Sequence, residues 1–270
     1  MDFPPSDAVL DVTRGFPGNV LGPIPVAGAA RRLLAYCTTP GSGWSSYDLG
    51  AHHARRLGMF DSVTSWSLLY ANALNGQVTL DNVAAFDRSL RRDFAGRLAK
   101  VPPGRDLQRM DSDETIAVVD VCCFGFRGVW GPKATKLAAL YRPNSVPVLD
   151  GHVAEAFGYD RDAFSVGTVQ RGLTRRERIE TVVGALARGL ATHAAELTEL
   201  RRVVAPTVPE AKDVSDLRLL DMVLWTTQDD RMARRSRQGP CWIDRPPGQH
   251  IDIEDSAPEP VVAAGTSIAG

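Results

Sequence analysis

The chain has 270 residues, 44% of them apolar, and a formal charge of −1. That apolar content excludes a globally disordered chain, and no run approaches the roughly 18 uninterrupted apolar residues of a membrane span. The near-zero charge excludes a uniformly basic nucleic-acid coat, but the charge is uneven. Residues 243–270 hold five acids and one base, and the rest of the chain has 30 Lys/Arg against 27 Asp/Glu. Phe86 to Arg109 carries seven bases and three acids, which leaves room for a local basic face, although solvated helix faces are the preferred reading of any single cluster.

Residues 1–25 are rich in Pro and Gly and read as an extended lead-in. The start, with its acids and prolines, has no basic n-region or apolar h-region, so no leader is expected. Cys37, Cys122, Cys123 and Cys241 show no metal-ligand or disulfide spacing, which points to a reducing, cytoplasmic setting and to no metal or other cofactor. Val26–Tyr36 and Tyr47–Leu57 read as short helices. In the second, the adjacent His52 and His53 point to different sides and cannot form an i,i+4 metal pair. Ser62–Leu74 reads as a helix ending in the Asn75-Gly76 turn.

Thr79 or Asp81 is expected to cap a helix running to about Lys100, with Val83, Phe86, Leu90, Phe94 and Leu98 as its apolar stripe. Asp111 and Glu114 form a capping pattern before an apolar helix through Cys123. The next stretch, Phe126 to Val153, organises the reading. Two glycines and a proline within Arg127-Gly128-Val129-Trp130-Gly131-Pro132 forbid helix. Lys133–Tyr141 is helical, with Ala134, Leu137, Ala138 and Tyr141 on one face. Pro143 and Asn144 stop it, and Val146-Pro147-Val148-Leu149 leads to Asp150 at the start of another helix.

Thr174 and Glu177 make a capping box for the longest helix, with Ile179, Val182, Val183, Leu186, Leu190, Ala194, Leu197 and Leu200 on one stripe. Arg175, Arg176 and Arg178 oppose its dipole, which makes a phosphate partner slightly more plausible; Glu177 and Glu180 offer ordinary compensation. Ser215 caps a last helix through about Met232, with Leu217, Leu220 and Leu224 inward. The acidic tail, 243–270, reads as disordered. The expected class is all-α, with seven to nine helices in a single domain over residues 26–242 and no strong strand signal.

The stretch 126–153 resembles the helix-hairpin-helix and Gly/Pro-Asp segment of the HhH-GPD DNA glycosylase superfamily. Val-Pro-Val-Leu-Asp-Gly-His-Val at 146–153 is similar to a phrase of adenine DNA glycosylases. Setting Gly128-Val129 on the Gly-Val of the hairpin puts Ala134 and Asp150 on the family's Ala and catalytic Asp without a gap. The resemblance spans about a tenth of the chain. A narrower one, running through the Arg-Pro and Pro-Val-Leu-Asp phrases and Leu217–Trp225, is to a family of uncharacterised actinobacterial proteins and carries no function.

The superfamily resemblance implies a glycosylase-like bundle with its helix-hairpin-helix at about 114–141. The partner it implies is DNA, held by its phosphate backbone and through a flipped base. Gly128, Val129, Gly131, Lys133 and Lys136 would face nucleic acid. Trp130, Tyr141 and His152 are base-pocket candidates, and Asp150 would be the carboxylate that stabilises charge on the sugar or activates water. Trp130 replaces the hairpin's second Gly, and Pro132 stands where bifunctional members carry a nucleophilic Lys, so a monofunctional N-glycosylase is expected. No Glu precedes Glu114, which leaves Asp48, Asp61 or Asp81 to replace the early Glu of adenine glycosylases. The four-Cys iron–sulfur loop is absent. Each residue also has a plainer role: Asp150 as a helix cap, the lysines as solvated charges, the aromatics as core. Two other readings stay open: a non-catalytic nucleic-acid-binding module of the same fold, and an unrelated helical partner-binding protein.

Overall fold

The computed structural model describes residues 7–14, 16, 21–39, 42–126 and 128–235. The acidic tail, Arg127 and the first six residues lie outside that set. The class is all-α, with ten α-helices and one small sheet among the described residues. The lead-in is therefore more than an extended arm: β1 (Val9–Leu10) pairs antiparallel with β2 (Ile24–Pro25). Two-residue strands are too short to give a periodic signal.

Helix α1 (Val26–Thr38) is followed by a π turn (Trp44–Asp48) that runs into α2 (Leu49–Arg56). Ser65–Leu74 is a ten-residue 3₁₀-helix closed by Asn75 in the left-handed region, at φ 58°. The expected helix from Thr79 is α3 (Leu80–Ala85), a second π turn (Phe86–Leu90) and α4 (Arg91–Leu98). Thr79 is its cap: Oγ1 accepts from Asn82 N while Asn82 Oδ1 accepts from Thr79 N. The stripe residues Phe86 and Phe94 are fully buried against Phe124 and Phe126. Truncating either to Ala costs about 3–5 kcal/mol.

Helix α5 (Ser112–Cys122) starts at the reciprocal Asp111–Glu114 box, and α6 (Pro132–Tyr141) follows the hairpin. After α7 (Gly151–Ala156) and an irregular stretch, Thr174 and Glu177 box the start of α8 (Arg175–Thr192). The single long helix expected here breaks at His193, and α9 (Ala194–Val204) follows. His193 is buried, with Nε2 accepting from Asp11 N at 3.1 Å, whereas Ala194 faces outward. The break re-phases the stripe, and that extra element helps bring the helix number to ten. Helix α10 (Asp216–Arg235) packs on α7 and α1, while α6 packs on the 3₁₀-helix.

The arginines at the start of α8 are engaged within the protein. Arg175 donates to the carbonyls of Cys122 and Cys123, the open C-terminal end of α5. Arg176 pairs with Asp120, and the fully buried Arg178 donates to Ala163 and Thr168. A cation at a helix C-terminus is favourable, and that gain replaces the expected cost.

Candidate functional site

The hairpin between α5 and α6 closes on itself. Phe126 and Val129 exchange both backbone hydrogen bonds at 2.8 Å, with Gly128 at φ +83°. Gly131, at φ +49°, precedes α6, and a Cβ there would stand 2.6 Å from the Phe164 carbonyl oxygen. At Gly128 the nearest obstacle is the Asn82 amide, at 2.8 Å. Both glycines thus have reasons inside the protein: a turn, and a close approach to neighbouring chain.

The residues expected to face nucleic acid divide. Gly128 and Trp130 are exposed. Lys133 is half-exposed, its ammonium donating to the carbonyls of Gln77 and Gly128 at 3.0 Å each. Val129 and Gly131 are buried. Lys136 is buried too, its Nζ donating to Leu74 O at 2.6 Å. Burial pushes the Lys136 ammonium down, against the pull of the Asp150 charge. Val129, Gly131 and Lys136 therefore present no side chain to a phosphate.

Of the base-pocket candidates, Tyr141 is core. Its ring packs edge-on to Phe60, its hydroxyl contacts Ser67 Oγ, and it accepts from Thr64 N at 3.2 Å. Trp130 lies on the surface beside the hairpin. His152 stands 4.8 Å from the Trp225 ring, and Trp225 lines a cavity.

Asp150 borders that same cavity, of about 220 Å³. Its position follows from two local devices. Thr135 Oγ1, buried on α6, accepts from Leu149 N at 3.1 Å and ties the approach segment to the helix. Asp150 Oδ1 then caps α7, accepting from His152 N and Val153 N at 3.0 and 3.1 Å. The cap expected from the sequence is present, and the second carboxylate oxygen accepts no hydrogen bond from a described residue.

Tyr36, Asn75, Arg218, Asp221 and Trp225 share the lining with Asp150. Arg218 is the hub. It donates to both oxygens of Asp48, at 2.8 and 3.0 Å, and through Nη1 to Asp221. One guanidinium cannot neutralise two carboxylates. Asp48 holds the bidentate bond, so Asp221 is the group left to carry a proton. Burial pushes the Asp221 carboxyl up to about 7, against the pull of Arg218, with the charges of Asp150 and Asp48 adding to the rise. Burial alone would lower Arg218; the two carboxylates outweigh it and hold the guanidinium well above its ordinary range.

A second cavity of about 590 Å³ lies beyond Arg218, Asp221 and Val148, which line both. Asp48, His52, Arg55 and Asp213 face it. Of the three acids considered for the early Glu, only Asp48 lies at a cavity beside Asp150's; Asp61 and Asp81 are exposed elsewhere. Sequence reasoning missed Arg218, Asp221, Tyr36, Asn75 and Trp225 as site residues. A signal existed for two of them: Arg218 and Asp221 are charges three apart on a stripe of leucines. Among the described residues, no three His, Cys, Asp or Glu side chains converge as a metal site, and no helix is long and apolar enough to cross a membrane.

Searches among curated proteins and among solved structures gave no match. The profile of a family of unknown function, DUF6308, matches residues 29–228, from α1 into α10, and so covers the hairpin, Asp150 and both cavities. With most of its length matched, the chain belongs to the DUF6308 family.

Proposed function

We propose that this protein binds DNA on a scaffold of the HhH-GPD glycosylase type and hydrolyses a base–sugar bond as a monofunctional N-glycosylase. The observation that carries the reading is the placement of Asp150. It follows a glycine hairpin and helix, caps α7 with one oxygen, and borders a 220 Å³ cavity walled by Trp225 and Tyr36.

The chemistry fits those groups. A base flipped out of the stack needs an aromatic wall and polar contacts. As the C1′–N bond breaks, positive charge grows on the sugar, and a neighbouring carboxylate stabilises it. Asp150 takes that role. Water adds its oxygen to C1′, the released base takes a proton, and the products are an abasic sugar and a free base. Asp221, with its carboxyl near 7, is the donor for the departing base. The reading belongs with a cytoplasmic protein in which Cys37, Cys122 and Cys123 are free thiols.

The test is abasic-site formation on oligonucleotides carrying damaged or mismatched bases. Asp150→Asn keeps a good helix cap but removes the charge, and product formation falls by roughly 10²–10³-fold. Activity unchanged in that variant would overturn the catalytic assignment. A non-catalytic binding module is the second reading. It is favoured by the plain structural role of Asp150, whose Oδ1 caps α7 and needs no chemistry to account for it. Salt-dependent binding without base release selects that reading.

A further inference from the structure

A second surface stands apart from the hairpin and the Asp150 cavity. The 3₁₀-helix Ser65–Leu74 begins beside Trp66, which is 66% exposed, an unusual state for so large an apolar ring. Next to it lie two adjoining hollows of about 420 and 650 Å³. Trp66 and Leu80 line the first, Arg88 and Arg92 line the second, and Asp87 with Arg91 borders both.

The charges are not balanced there. Arg91 pairs with Asp87 at 3.2 Å, and Ser65 Oγ also donates to Asp87. Arg88 and Arg92 are exposed and have no carboxylate partner among the described residues. The groove therefore joins two unneutralised guanidinium groups to one exposed indole. A polyanion with flat, stackable faces matches both features. A protein partner would need matching acids for the arginines and a larger apolar contact than Trp66 and Leu80 offer.

Its place in the fold adds a second argument. The far end of the same 3₁₀-helix, Leu74 with Asn75, lines the Asp150 cavity. At a rise of about 2 Å per residue, Trp66 and Asn75 are separated by roughly 18 Å.

We infer that this groove holds a single strand of nucleic acid, with phosphates on Arg88 and Arg92 and a base stacked on Trp66, while the target base lies at the other end of the 3₁₀-helix. The inference rests on the nucleic-acid part of the proposed function and not on catalysis.

The experiment is fluorescence anisotropy of the full chain with a labelled single-stranded oligonucleotide across a salt series. Arg88→Ala with Arg92→Ala lowers the slope of log affinity against log salt by about 1.4, two contacts at about 0.7 each. Trp66→Ala weakens binding roughly fivefold to a hundredfold at fixed salt and leaves the slope unchanged. These side chains are exposed, so the thermal midpoints stay at the wild-type value, which separates lost binding from lost folding. Wild-type binding with an unchanged slope in the double arginine variant overturns the groove and leaves the nucleic-acid reading intact. No binding by the wild type, even at low salt, overturns both. Asp150→Asn that binds normally but forms no abasic sites leaves the groove and the catalytic assignment both standing.

Discussion

The hairpin stretch 126–141 and the chamber around Arg218 are built on opposite plans. In the hairpin, polar groups are satisfied by backbone close at hand: Phe126 by Val129, and Lys133 in part by Gly128. In the chamber, Arg218 is satisfied by Asp48, 170 residues away in sequence. The first region is a scaffold whose lysines are engaged and whose glycines fit against neighbouring chain. The second holds two carboxylates, Asp48 and Asp221, out of water around one cation. The residues that announce a motif need not be those that carry its chemistry.

The largest test of that contrast is Arg218→Met. It leaves Asp48 and Asp221 buried without a counter-charge, and urea unfolding should show a loss of about 3–5 kcal/mol. Replacing all three charged groups by apolar residues of similar size should recover much of that loss. A triple variant as weak as the single one would mean that packing, not charge, holds the chamber.

The hairpin should break differently, through backbone geometry. Gly131→Ala puts a Cβ against the fixed Phe164 carbonyl at a positive φ and should cost roughly 2–3 kcal/mol. Gly128→Ala meets only the Asn82 amide, a side chain that can swing aside, and should cost about half as much. Equal losses in denaturant titrations would remove the distinction between the two turns.

The chamber should show a proton signature below neutral pH. The folded Asp221 carboxyl is raised to about 7, well above its unfolded value of about 3.9. Its contribution is full below about pH 4, falls by up to about 1.4 kcal/mol per pH unit, and is gone above about pH 7. The urea midpoint of the wild type, relative to Asp221→Asn, should therefore drop between about pH 4 and about pH 7 and then level off. A flat difference would show that Asp221 stays ionised throughout. The smallest effect belongs to Lys133→Ala, whose two exposed hydrogen bonds should be worth less than about 1 kcal/mol in the same assay.

Sequence spacing was a good guide wherever a short-range hydrogen bond decided the outcome. The boxes at Thr79, Asp111 and Thr174, the cap at Asp150, and the end of α6 after Tyr141 all depend on partners within a few residues. It was a poor guide where a distant partner decided. The break at His193 depends on the Asp11 amide, and the inward turn of Arg175 depends on carbonyls of α5. Lys136 sits on α6 at a position that suits exposure or burial equally; the 3₁₀-helix packed across it, whose Leu74 carbonyl takes its ammonium, makes it interior. Arg218 and Asp221 read as surface charges until the π turn carrying Asp48 is placed opposite.

That π turn has a twin. One, Trp44–Asp48, carries Asp48 to Arg218; the other, Phe86–Leu90, carries Asp87 and Arg88 into the groove beside Trp66. A π turn amounts to one residue inserted into an α-helix, which in a gene is a single codon. Losing one residue near Ser89 would rotate α4 against α3 by about 100° and swing Arg91 and Arg92 away from Trp66. A one-residue length difference between Thr79 and Leu98 would thus mark, within the family, which members could have gained or lost the groove without disturbing the Asp150 cavity.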